Sequence, residues 1–498
     1  MSSANSAHAF TNPRERIPDI TATGVNVPTE TFQTAATADA ASPGEARRTS
    51  NAANAVIARA TATNQTQKPP TPLSDILPPL VFGTATFNYQ FNPDPYALSP
   101  TAIVRAALQK GIRAFDTSPY YGPAEEILGT ALHSPLVTAD AVLSKLERAD
   151  YFILTKCGRI HGDAFDYSAD WIGYSVARSL RRLKTDYLDV VYLHDVEFVS
   201  AEEVLSGVRA LRAIRDRTGR VRYVGICGYP VDVLCSLAEM IRRKTGESVD
   251  IVQSYANYTV QNQNLVTGGL ERLEGAGVGV VANASPLGMG LCRSQGVPVG
   301  DSKGSWHPAP DGLRRACLDA ARWVEREWDE RLEAVAVRFA IEGWLTAGAE
   351  VGSRGVLPGE AVAGLEGRDD GDPANAGGDA TEAARPRPRP RLGVSVMGVS
   401  KLSELEDTMA VHGSVLSVSS ESSNVRKEQV EKMVTYIREN ILGEEWTDFA
   451  WDSPGPGFKN TRRDFGVSEA ERKDFMRQFG VDYERQLEQV RNGTEDLK

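Results

Sequence analysis

Eight short apolar runs, each followed by a stretch with helical spacing, constrain this chain more than any other feature. They are PLVFGTAT (79–86), GIRAFDTS (111–118), YFILTKCG (151–158), YLDVVYLHDV (187–196), VRYVGICG (221–228), DIVQSYAN (250–257), GVGVVANASPLG (277–288) and LGVSVMGVS (392–400). Ala102, Val104, Ala107 and Leu108 follow the first run at helical spacing, and Ile172, Val176, Leu180 and Leu183 follow the third. Strands that are apolar throughout are buried on both faces, and single helices between them imply a parallel sheet. Eight such units predict an α/β fold, a (β/α)₈ barrel.

The 498 residues contain more than this barrel needs. Residues 1–76 are rich in Ala, Thr, Ser and Asn and nearly free of aromatics, so they are expected to form a disordered tail. The barrel is expected over 77–443. Residues 352–391, rich in Gly, Pro, Asp and Ala and ending in RPRPRPR, interrupt it before the eighth strand. This reads as a flexible insertion on the face away from the strands' carboxyl ends, with the Arg-Pro run as a docking element for a protein partner. Val425, Val430, Met433, Val434 and Ile437 predict a helix over 424–441, and 444–498 reads as an aromatic loop and a charged tail.

A net charge of −11 disfavours a nucleic-acid or anionic-membrane partner, and no run reaches 18 apolar residues. A small neutral substrate and a cytoplasmic location are the expectation. Five scattered cysteines without a C-x-x-C pair read as reduced thiols, and six dispersed histidines predict no metal site.

In a barrel of this kind, polar side chains at the strands' carboxyl ends converge on one pocket. The second strand ends in Asp116, the third in Lys156 and the fourth in His194, and Tyr120 and Tyr121 lie just beyond Asp116. A lysine at the tip of a buried strand needs a compensating charge, which Asp116 supplies. The ammonium would lower a nearby phenol's pKa, and His194 would hydrogen-bond a substrate oxygen or share in proton transfer. Such a group suits hydride exchange between a carbinol or carbonyl carbon and a nicotinamide ring. Each residue alone also has a plain reading, as a cap, a snorkelling lysine or a core histidine. Residue chemistry leaves Tyr120 and Tyr121 interchangeable.

The motifs FGT (82–84), AFDTSPYYG, ILTKCG, YLHDVEFV, RYVGICGYP, QSYANY and ASPLGMG occur in the order found in the aldo-keto reductase superfamily, which the chain resembles over about 79–351 and 392–415. The resemblance implies catalytic roles for Asp116, Tyr121, Lys156 and His194, and its spacing selects Tyr121 over Tyr120, which becomes a pocket wall. It implies cofactor contacts from Gly83, Thr84, Gln253, Ser285, Pro286, Leu287, Gly288, Gly398, Ser400, Lys401, Glu404 and Asp407. The family's Ser-Asn pair after strand five is replaced by Cys227 and Gly228. Its ring-stacking tyrosine after strand seven is replaced by Ala284. These variants are similar to the branch of NAD-dependent D-arabinose and L-galactose 1-dehydrogenases, which oxidise a sugar's anomeric carbon to an aldonolactone on the route to ascorbate or erythroascorbate. NAD is the implied cofactor, because Gly398 and Glu404 stand where NADP users carry cations, while Lys401 keeps NADP as the alternative.

Three other readings compete: an NADPH-dependent aldehyde or ketone reductase, a Schiff-base aldolase with Lys156 as nucleophile, and a non-catalytic nicotinamide-binding subunit. Around Trp446, Phe449 and Trp451 the C-terminal segment reads either as a wall of the sugar pocket or as packing against the barrel. No feature of the sequence addresses the oligomeric state.

Overall fold

The computed structural model describes residues 71–300, 306–368, 389–416 and 421–479, with two more positions near the C-terminus. All eight apolar runs contain a strand: β1 Leu80–Gly83, β2 Ala114–Asp116, β3 Phe152–Cys157, β4 Leu188–His194, β5 Val221–Gly228, β6 Ile251–Tyr255, β7 Val280–Ala284 and β8 Val394–Gly398. They form one closed parallel barrel in sequence order, β1 pairing with both β2 and β8. Inward positions alternate with outward ones. Val81, Ala114, Leu154, Tyr192, Ile251, Ala282 and Val396 fill the interior, while Phe82, Phe115, Ile153, Val191 and Val252 pack under the helices.

The covering helices carry their own start and stop signals. In Ala201–Thr218, Ser200 and Glu203 form a reciprocal capping box, and Gly219 ends the helix at φ 65°.

The tail boundary expected at residue 76 is too late. Residues 73–76 form a short helix, and Leu73 and Leu77 are buried with the barrel's interior residues, closing its amino-terminal end. The Tyr223 hydroxyl donates to Thr71 O at 2.7 Å and Arg354 N to Ser74 O at 2.8 Å, so this plug is hydrogen-bonded from two sides. The rest of the expected tail, 1–70, lies outside the described residues.

The first part of the expected insertion is folded on the same end. Helix Pro358–Glu366 lies against the start of β2, where Arg113 Nη2 donates to Ala361 O at 3.4 Å, and Arg368 pairs with Asp150 at 2.5 Å. Two arginines of the Arg-Pro run are held there too: Arg389 pairs with Glu360 at 3.1 Å and Arg391 Nη2 donates to Ser74 Oγ at 3.1 Å. Residues 369–388 lie outside the described residues.

The expected C-terminal helix spans Glu421–Tyr436 and continues as a wider turn to Leu442. Beyond it the chain crosses the opposite, carboxyl-terminal face. Gln261 Nε2 donates to Trp446 O and Phe449 O, Ser453 Oγ to Glu197 Oε1, and Asn460 exchanges two 2.9 Å bonds with the Phe165 backbone. Helix Glu469–Phe479 then places Phe475 against Trp171 and Tyr174. Among the described residues no helix is long and apolar enough to cross a membrane.

Candidate active site

The strand tips converge as the barrel requires. Lys156 Nζ donates to Asp116 Oδ1 at 2.6 Å and to Thr117 O at 2.9 Å, both side chains being almost fully buried. Nζ stands 5.0 Å from the centre of the Tyr121 ring. His194 meets Tyr121 edge-on, with ring centres 5.8 Å apart at 88°, and its Nδ1 lies 3.1 Å from Ser118 Oγ. Tyr121 is carried by the turn after β2, its N–H bonded to Ser118 O at 3.0 Å.

Electrostatics refine the expected roles. Burial pulls the Lys156 ammonium down, but Asp116 and Tyr121 more than offset it, so Lys156 stays charged. Burial pushes the Asp116 carboxyl up, against the pull of Lys156 and Gln253. Burial together with the charges of Lys156 and Arg159 holds His194 far below the usual imidazole range, so His194 is neutral. Tyr121 departs from the expectation of a lowered pKa. Burial raises it more than the Lys156 charge lowers it, and Asp116, Cys227 and Asp195 push it up further.

Tyr120 lies outside this core, under Arg159. The Arg159 Nη2 donates to the Tyr120 hydroxyl at 3.0 Å, and its Nη1 is paired with Asp195. Asp195 follows His194 in the left-handed region, at φ 57°, a conformation that costs a non-glycine residue energy and is held only by its surroundings. Residue patterning missed Arg159 and Glu197. Arg159 sits two residues past its strand, and only its place after the Lys156 tip could have signalled it. His194, Asp195 and Cys227 bring three metal-ligating atoms within 4.8 Å of one another. Arg159 engages that aspartate and Lys156 adds positive charge, which disfavours a cation there.

The resemblance-derived cofactor positions divide. Cys227 faces the barrel interior beside His194, its register partner, and burial keeps it a thiol. Gly228 faces the other way: a Cβ there would stand 2.3 Å from Glu197 Oε2. Gln253 points inward toward Asp116, and its Oε1 and the buried Thr84 Oγ1 have no partner among the described residues. After β7, Ser285 (φ 53°), Gly288 (φ 58°), Met289 (φ 56°) and Gly290 (φ 105°) turn the backbone repeatedly through left-handed conformations, and the N–H groups of Gly288, Gly290, Leu291 and Cys292 are taken up by carbonyls within the loop. Pro286 and Leu287 lie within this loop. Gly83 ends β1 beside Val396, and Gly398 ends β8. Glu404 Oε2 accepts from Ser400 N at 2.7 Å, Lys401 is exposed, and Asp407 is an exposed residue 3.6 Å from Arg331. An orphaned amide oxygen and a buried unpaired hydroxyl at one mouth fit the carboxamide of a nicotinamide dinucleotide.

Trp446 and Trp451 are both packed against other parts of the chain. The Trp446 ring covers Gly312 and meets Phe449, while Trp451 stacks on Tyr229 with centres 4.3 Å apart and touches His307.

A closed parallel barrel with an aspartate, a tyrosine, a charged lysine and a neutral histidine at its carboxyl-terminal mouth defines an oxidoreductase of CH–OH groups. The chain belongs to the aldo/keto reductase family, whose model matches residues 79–425. It is 39% identical to the D-arabinose 1-dehydrogenase of Saccharomyces cerevisiae over 272 residues, 54% of this chain and 77% of that one. It is 35% identical to the L-galactose dehydrogenase of Arabidopsis thaliana over 243 residues, 48% of this chain and 69% of that one. Among solved structures, a glycerol dehydrogenase from Gluconobacter oxydans matches 78% of this chain and all of its own at 18% identity, with a TM-score of 0.46.

Proposed function

We propose that the protein oxidises an aldose, D-arabinose or a relative such as L-galactose or L-fucose, at the anomeric carbon to the aldono-1,4-lactone, with NAD as the hydride acceptor. The observation that carries this reading is the Tyr121–Lys156–Asp116–His194 cluster at the barrel mouth. It is supported by likeness to two sugar dehydrogenases, at 39% and 35% identity. The bound dinucleotide supplies the two-electron acceptor. Gln253, Thr84 and the loop from Ser285 to Gly290 would hold it, with Glu404 and Lys401 near its ribose end.

The remaining work falls to the chain. Tyr121 first gives up its own proton to solvent and then, as phenolate, accepts the proton of the anomeric hydroxyl as hydride leaves C1, so both hydrogens are accounted for and the carbon is oxidised by two electrons. Lys156, fixed by Asp116, favours the phenolate in that step. Neutral His194 serves the sugar oxygen as a hydrogen-bond partner and carries no charge of its own. Because Tyr121 is protonated in the free protein, turnover should rise with pH.

Purified protein with D-arabinose and NAD should produce NADH. The Tyr121→Phe variant should lose at least about 10³-fold in kcat, with the Tyr120→Phe variant far less affected. Full turnover in Tyr121→Phe, or NADH from no aldose at all, would end this reading. Exposed Lys401 favours NADP as a second acceptor, and comparing kcat/KM for NAD and NADP decides between them.

A further inference from the structure

Arg159 is the most elaborately held polar side chain at the mouth outside the catalytic cluster. It lies in a small hairpin after β3, where Arg159 bridges to Phe165 and Asp166 N bonds to Gly158 O at 2.9 Å. Gly158 makes the turn at φ 93°, in a space where any Cβ would strike the Tyr167 ring at 2.2 Å. The Tyr167 hydroxyl in turn holds His194 O at 2.7 Å, so the hairpin and the His194 tip are one rigid unit. Asn460 and Thr461 pin the hairpin from above.

The guanidinium stacks over Tyr120 with Cζ 3.8 Å from the ring centre. Its Nε donates to His161 O at 3.4 Å, Nη1 to Asp195 and Nη2 to the Tyr120 hydroxyl. Each terminal nitrogen keeps a second N–H with no partner among the described residues, and the side chain is 16% exposed. Positive charge at the mouth is neutralised pair by pair: Lys156 by Asp116, Arg159 by Asp195. His194 is neutral, and Glu197 adds either nothing or a negative charge.

We propose that the Arg159–Asp195 pair is the specificity element of this site: it donates hydrogen bonds to the hydroxyls of an uncharged aldose and, being neutral as a unit, rejects sugars that carry a phosphate or carboxylate. An anion needs an uncompensated cation or several free donors once desolvated, and Asp195 removes the first. A hydroxyl needs only donors, which the two free N–H groups supply. Asp195 makes this pair from a left-handed backbone conformation, at φ 57°. This inference rests on the aldose-oxidation reading.

The test is steady-state kinetics of D-arabinose and D-arabinose 5-phosphate with NAD. The unaltered protein should favour the neutral sugar at least about 100-fold in kcat/KM. Arg159→Leu should raise KM for D-arabinose about 10- to 100-fold with a smaller change in kcat, and Arg159→Lys should fall between. Asp195→Asn, which leaves Arg159 charged and unpaired, should shift the ratio at least about 10-fold toward the phosphate. Equal use of both sugars by the unaltered protein, an Arg159→Leu KM within about twofold, or an unmoved ratio in a folded Asp195→Asn would each overturn the proposal. If Asp195→Asn does not fold, the Arg159 pair of variants decides alone. Absence of turnover with every neutral aldose would instead refute the aldose reading itself.

Discussion

At the scale of single residues, the site is a set of buried charges that exist only in company. Lys156 and Asp116 are each nearly sealed from water, and each is tolerable only because the other is 2.6 Å away. Lys156→Met should therefore cost about 3–5 kcal/mol in urea denaturation, by stranding a buried carboxylate. Adding Asp116→Asn should restore most of that stability and none of the turnover, which separates the structural from the chemical share of the pair. An unchanged midpoint in the single variant would show that water reaches Asp116. The sequence placed these two residues together because a lysine after Ile153, Leu154 and Thr155 demanded a partner. It could not reveal the sign of the Tyr121 shift, which depends on how the burial of the ring weighs against the charges of Lys156, Asp116, Cys227 and Asp195 around it.

Among the elements, the strands were legible because a continuous apolar run of this length can only be buried on both faces. Two other elements were not. The plug at residues 73–77 offers only Leu73, Ile76 and Leu77 after a polar tail, too few for any periodicity, and becomes an element only because the barrel end needs filling. The C-terminal segment announces its aromatics but not their partners. Trp451 is buried against Tyr229 and His307, so Trp451→Ala should lower stability by about 3–5 kcal/mol while KM for the sugar moves less than about threefold. A tenfold KM change with unaltered stability would return Trp451 to the substrate wall.

Across the whole molecule, the C-terminal segment and the catalytic face share one titrating group. Burial, aided by Asp195, pushes Glu197 up to about 8, while Ser453 Oγ and Tyr229 N donate to its Oε1 at 2.9 and 3.1 Å. The folded protein thus keeps this proton while the unfolded chain, near 4.5, has released it. Stability from Glu197 is complete below about 4.5 and is lost as pH rises toward 8. Glu197→Gln should be close to the unaltered protein at pH 5 and increasingly more heat-stable than it up to about pH 8, then level off. Melting curves that stay parallel across that range would place Glu197 in water.

The sequence by itself determined the barrel, its strand order and the three polar strand ends, because apolar period and run length are local properties that survive without knowledge of neighbours. Tertiary structure alone decided which end each flanking segment covers, that Gly228 makes room for Glu197, and that Asp195 cancels Arg159. Those outcomes turn on distances between groups far apart in the chain, and on how much water is left between them once the barrel has closed.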